Sequence, residues 1–172
     1  MPPETHAGAQ APGLPSVSHM DIVGSSPGAA FVRSVTIPGL DEPFVFGVHP
    51  DFADHYGLDM DRYDPRPTTN DMFVAAVGSC LAGVYALALE ARGVTVTGEQ
   101  LDADIVGDLG VPEEGGAAIV RSIHVVLRLR LPEEHESLAH RVHGFYHEGC
   151  LLTQTLVGSR CAVSSELRFT AS

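Results

Sequence analysis

From Met72 to Leu89 the sequence runs for 18 residues without a charged side chain, so any fold for this chain has to be built around that segment. It is too long for an ordinary strand and has the length of a long helix. Asp71 and Glu90 bound it, Thr68 or Thr69 offers an N-cap, and Gly93 offers a stop. A membrane span is the obvious alternative for such a run. Positive flanks are missing, however, and Gly and Ala fill much of the segment. The neighbouring segments are amphipathic. The expectation is a central helix buried on all sides, partly by a second subunit.

Around it the pattern alternates between strands and helices. Phe31–Thr36 and Phe44–Val48 are β-rich and separated by Pro38-Gly39, which predicts a hairpin. Residues 49–70 form an acidic, Pro-containing connection with Asp51, Asp54, Asp59, Asp61 and Asp64. Leu101–Leu109 predicts a strand. The clearest strand follows, where Ile123, Val125, Leu127, Leu129 and Leu131 alternate with His124, Val126, Arg128 and Arg130. Pro132 then opens a helix to about His147, with Glu133 and Glu134 suited to its positive end. Cys150 starts a short helix and Glu166–Thr170 closes as a strand. The order β-β-α-β-β-α-α-β predicts an α+β fold in a single domain over residues 30–172. Residues 1–29, rich in Pro, Gly and Ser with no apolar run, predict a flexible arm that is neither signal peptide nor anchor, on a cytoplasmic protein.

Charge narrows the function. The net charge of −12 argues against nucleic-acid or anionic-membrane partners, which need concentrated positive charge. There is no Lys, and all ten basic residues are Arg. Schiff-base chemistry and the phosphate-loop lysine are therefore excluded. No dinucleotide fingerprint or nucleophile elbow is present, and the loop at Asp59-Met-Asp61 lacks the Gly and terminal Glu of a calcium site. His140, His143 and His147 share a helical face opposite the apolar stripe of Leu138, Val142, Phe145 and Tyr146. A solvated face accounts for them without a metal. No cofactor is expected.

Chemistry is left to the cysteines. Three are too few and too scattered for a disulfide scaffold or a zinc site. Cys161, just before the final strand, has no evident role. Cys80 lies about nine residues inside the long helix, where the dipole does little and burial would raise its pKa. A reactive thiolate there needs an Arg or His from elsewhere; otherwise Cys80 is a small hydrophobe. Cys150, at a helix start, can be stabilised directly by exposed N–H groups.

The segment Asn70-Asp-Met-Phe-Val-Ala-Ala-Val-Gly-Ser-Cys80-Leu-Ala resembles the central-helix motif of the OsmC/Ohr family, the osmotically inducible and organic hydroperoxide resistance proteins. Cys150-Leu-Leu-Thr-Gln-Thr-Leu156 resembles its second motif, and the resemblance covers about residues 30–170. It implies antiparallel sheets packed on the central helix in an intertwined homodimer, with two active sites at the subunit interface. The implied activity is thiol-dependent reduction of organic hydroperoxides. Cys80 would be the peroxidatic thiol, oxidised to a sulfenic acid, and Cys150 would resolve it as a disulfide that an external dithiol reduces. Asp71 stands where the family usually has Glu. The activating cation would be Arg33 or, in its place, Arg66. The alternative is a dimer of the same fold that binds a small apolar ligand, or acts in stress response, without turnover.

Overall fold

A computed structural model describes residues 19–22 and 32–170 of the chain. Its contacts separate two compact units, residues 1–68 and 69–172. The architecture is α+β, as expected.

The first unit is a three-stranded antiparallel sheet of β1 (His19–Ile22), β2 (Arg33–Thr36) and β3 (Phe44–Phe46), in that order. Most of the arm expected over residues 1–29 lies outside the described residues. Within it, His19–Ile22 is nonetheless a strand, paired from His19↔Thr36 to Ile22↔Arg33. The hairpin at Pro38-Gly39 forms between β2 and β3, and Gly39 takes the φ of 88° that its turn requires. Beyond β3 the chain folds back on itself, with Gly47 N–H donating to Pro67 O at 3.0 Å and Arg66 N–H to Val48 O at 2.9 Å. The acidic connection is not wholly loop. It holds α1 (Pro50–Tyr56), which starts on a proline preset for the first helical position, and a 3₁₀ turn at Met60–Arg62 capped by Asp59.

The second unit packs one long helix, α2 (Thr69–Glu90), on a sheet of β4 (Leu101–Gly110), β5 (Ile119–Leu129) and β6 (Ala162–Phe169), with β5 central. Gly93, at φ 82°, lies just beyond the helix end. The alternation in β5 becomes burial: Ile123, Val125, Leu127 and Leu129 are fully buried. They meet Val74, Val77, Leu81, Tyr85 and Leu89 in a single core cluster. Each such side chain contributes roughly 1.5–3 kcal/mol by leaving water. The helix approaches β4 closely through paired glycines. A Cβ on Gly78 would sit 2.5 Å from Ile105, and one on Gly107 would sit 2.5 Å from Val74.

Two expectations change here. Within one chain α2 is buried along a single stripe, not on all sides, and Leu87 is 66% exposed. It is long and apolar enough to cross a membrane by length and composition, but its buried stripe packs on the sheet. The sheet is also mixed. β4 and β5 are antiparallel, whereas β5 and β6 are parallel from Ser122↔Ala162 to Leu129↔Phe169. A parallel pair needs a crossover connection. It is supplied by α3 (Glu133–His143), a 3₁₀ turn (Tyr146–Gly149) and α4 (Leu151–Leu156). The Tyr85 hydroxyl donates to Ala139 O at 3.1 Å and ties α2 to α3.

Candidate active site

The crossover carries Cys150 to Cys80. After α3 ends at Gly144, the 3₁₀ turn runs against α2, where an added Cβ on Gly149 would touch Val84 at 3.4 Å. Val84 is one helical turn beyond Cys80, so the next residue of the turn arrives at the Cys80 level. Cys150 is extended (φ −83°, ψ 109°) and serves as N-cap of α4, its carbonyl accepting from Gln154 N–H at 2.9 Å. Its Sγ lies 3.0 Å from Cys80 Sγ, and both cysteines are free thiols.

The order of burial is the reverse of the one expected. Cys150 is fully buried, and Cys80, on the side of the helix next to buried Leu81, is partly exposed. Burial still raises the Cys80 pKa, and the contact with Cys150 adds to it; the N–H groups of Leu152 and Leu151 offset only part. Burial also opposes charge on Cys150. It is outweighed by the Cys80 thiol, the Thr153 hydroxyl and the N–H groups of Thr153 and Leu152, so this thiol lies below its ordinary range. In its neutral form Cys150 makes no capping hydrogen bond through sulfur. A thiolate is a far better acceptor than a thiol, so these donors engage as charge develops. Either thiol can donate across 3.0 Å; with Cys150 ionised, Cys80 donates. Of the two sulfurs, Cys150 is therefore the one on which negative charge is favoured.

The other site residues expected from sequence are Asp71, Arg33 and Arg66. Asp71 lies in the first turn of α2, about 13 Å along the helix axis from Cys80 at 1.5 Å per residue. With Asn70, Val74, Ala75, Ile105, Gly107 and Leu109 it lines a groove of about 410 Å³. Arg33 opens β2 opposite Phe46, and the Arg66 side chain lies over Gly47; both belong to the first unit.

The histidines are not one solvated face. His140 is exposed and its ring meets Phe169, but His143 Nε2 lies 3.2 Å from Ser165 Oγ and its ring packs on Tyr85 and Tyr146. α3 ends at His143, so His147 no longer follows the helical period. Burial, with His140 and His147 nearby, lowers the His143 pKa. Sequence reasoning passed over Thr153, which sits three residues into the second cysteine motif with a buried hydroxyl. A Thr at the third position after an N-cap is the signal that could have found it.

Residues 62–166 match the family described as OsmC-like protein. No curated protein sequence matches the chain. An OsmC-like protein from Mycoplasma pneumoniae has a similar structure at 12% identity, with a TM-score of 0.65 over 90% of this chain and 96% of that one. An OsmC-like protein of unknown function from Vibrio cholerae is similar at 16% identity, with a TM-score of 0.66 over 88% and 97%. The organic hydroperoxide resistance protein OhrB of Bacillus subtilis is similar at 17% identity, with a TM-score of 0.53 over 88% and 98%.

Proposed function

The chain belongs to the OsmC-like protein family, and on that premise we propose that it is a thiol-dependent peroxidase reducing organic hydroperoxides to alcohols. The observation that carries this reading is the 3.0 Å separation of two free thiols, the outer one partly exposed. The family's likeness to a hydroperoxide resistance protein supports the choice of substrate.

In the first step the Cys80 sulfur attacks the hydroxyl oxygen of the hydroperoxide and the O–O bond breaks. The Cys80 proton passes to the Cys150 thiolate as attack proceeds, so Cys150, the sulfur more readily ionised, acts as the base. The leaving alkoxide takes that proton from Cys150 to become the alcohol, which restores the Cys150 thiolate, and Cys80 becomes a sulfenic acid. The Cys150 thiolate then attacks that sulfur, the S–O bond breaks, and the departing hydroxide takes a proton from solvent and leaves as water. The resulting disulfide is reduced by an external dithiol through a mixed disulfide. Asp71 and Arg33, or Arg66 in its place, are carried over as proposals from the family resemblance alone, tested by the activity of Asp71→Asn, Arg33→Gln and Arg66→Gln. A second copy of the chain is the proposed cover for the exposed side of α2, including Leu87 and Phe73.

The test is consumption of cumene hydroperoxide against hydrogen peroxide, with a dithiol, by wild type and Cys80→Ser. Turnover favouring the organic peroxide and lost in the variant supports the reading. The raised Cys80 pKa favours the alternative of apolar-ligand binding without turnover. An inactive, folded and fully reduced wild type would establish that alternative as the better reading.

A further inference from the structure

Within the crossover, two threonines of α4 behave differently. Thr155 Oγ1 donates to Leu151 O at 2.8 Å, the habitual bond of a helical threonine to the preceding turn. Thr153 does not. Its hydroxyl oxygen is buried and has no hydrogen-bond partner among the described residues. A buried hydroxyl without a partner costs about 1–3 kcal/mol, so a sequence that keeps one there places it where a partner forms. Thr153 is three residues after Cys150, the N-cap of α4, and at that spacing its N–H and its side chain both face the cap residue.

We propose that Thr153 is a positioning residue of this site, its hydroxyl donating to Cys150 Sγ whenever that sulfur carries negative charge. This deepens the peroxidase reading and rests on it for its place in a reaction. The step it serves is the attack of Cys150 on the Cys80 sulfenic acid, in which a buried sulfur must hold charge until the new S–S bond forms. The other titratable groups around Cys150 are Cys80 on α2 and Tyr146 on the 3₁₀ turn, whose phenol burial keeps protonated. His147 and the hydroxyl residues Ser164 and Ser165 of β6 line, with Thr153, a cleft of about 190 Å³. None of these is among the groups that set the Cys150 charge, whereas the Thr153 hydroxyl and N–H are.

The experiment is a pH titration of the reduced full-length chain carrying ¹³Cβ-labelled cysteine, read by NMR, for wild type, Thr153→Val, Thr153→Ser and Thr153→Ala. Cys150→Ser assigns the resonance. Thr153→Val keeps the shape and removes the hydroxyl; its Cys150 titration moves to higher pH, and thiolate at a fixed pH below the transition falls roughly tenfold. Thr153→Ser restores the wild-type titration, and Thr153→Ala follows Thr153→Val. The same variants are then given one equivalent of cumene hydroperoxide, and Thr153→Val forms disulfide more slowly than Thr153→Ser. An unchanged titration in both Thr153→Val and Thr153→Ala overturns the proposal, as does a Thr153→Ser that behaves like Thr153→Val. A wild type without peroxide turnover but with the hydroxyl-dependent titration would overturn the peroxidase reading alone.

Discussion

Cys150 Sγ lies 3.0 Å from Cys80 Sγ although 70 residues separate them in sequence. A disulfide bond requires sulfurs about 2.05 Å apart, so oxidation has to close a gap of roughly 1 Å between them.

One equivalent of cumene hydroperoxide is expected to convert the reduced chain to a single intramolecular disulfide between Cys80 and Cys150. Peptide mapping without reductant checks this. Cys161, whose thiol burial keeps above the ordinary range, stays free. A Cys80–Cys161 or Cys150–Cys161 link as the main product would contradict the assignment.

Cys150→Ser removes both the base and the resolving thiol. Single-turnover oxidation of Cys80 is expected to slow by on the order of a hundredfold, the usual scale for losing a positioned base. The sulfenic acid that does form persists and is captured by dimedone at Cys80. Oxidation as fast as in wild type would show that Cys150 acts only in resolution.

Gly78→Ala tests the close approach of α2 to β4. Alanine is the better helix former by about 1 kcal/mol. Its Cβ would nevertheless lie 2.5–2.6 Å from three atoms of Ile105, and overpacking of this kind costs about 1–3 kcal/mol. The variant is expected to be less stable in urea, by up to about 2 kcal/mol. Combined with Ile105→Ala, the loss should be smaller than the sum of the two, which a double-mutant cycle measures.

His143 gives the reduced chain an acid sensitivity. Its pKa is lowered by burial, so between that value and the unfolded value of about 6.5 the unfolded chain binds more protons. The stability it contributes is complete above about pH 6.5 and is lost as pH falls through its folded pKa. The melting temperature should therefore fall more steeply below pH 6.5 in wild type than in His143→Gln. Parallel curves for the two would remove His143 as the cause.

Much of the second unit was legible because its signals are local. Burial in β5 follows the alternation of Ile123, Val125, Leu127 and Leu129, and α2 follows its apolar run from Thr69 to Glu90. The missed elements are short or polar. β1 is four residues whose strand character comes from pairing with β2, and α1 sits in an acidic stretch with no apolar period. β6 begins at Ala162 rather than Glu166, since Ser165 occupies a position where an apolar residue would have marked the alternation. His143, four residues after buried Ala139, borders the buried stripe of α3, and its polar side chain hid this from the sequence reading.

At the site the division is sharper. The sequence alone determined that Cys80 lies deep in a long helix and Cys150 at the start of a short one, because helix length, breakers and caps are properties of neighbouring residues. Only the tertiary structure decided that Cys150 is the buried sulfur and Cys80 the accessible one. Those relations depend on the parallel crossover from β5 to β6 laying its turn against α2 at Val84. Burial, and with it the cost of placing charge on a given sulfur, is set by atoms distant in the chain that packing alone brings together.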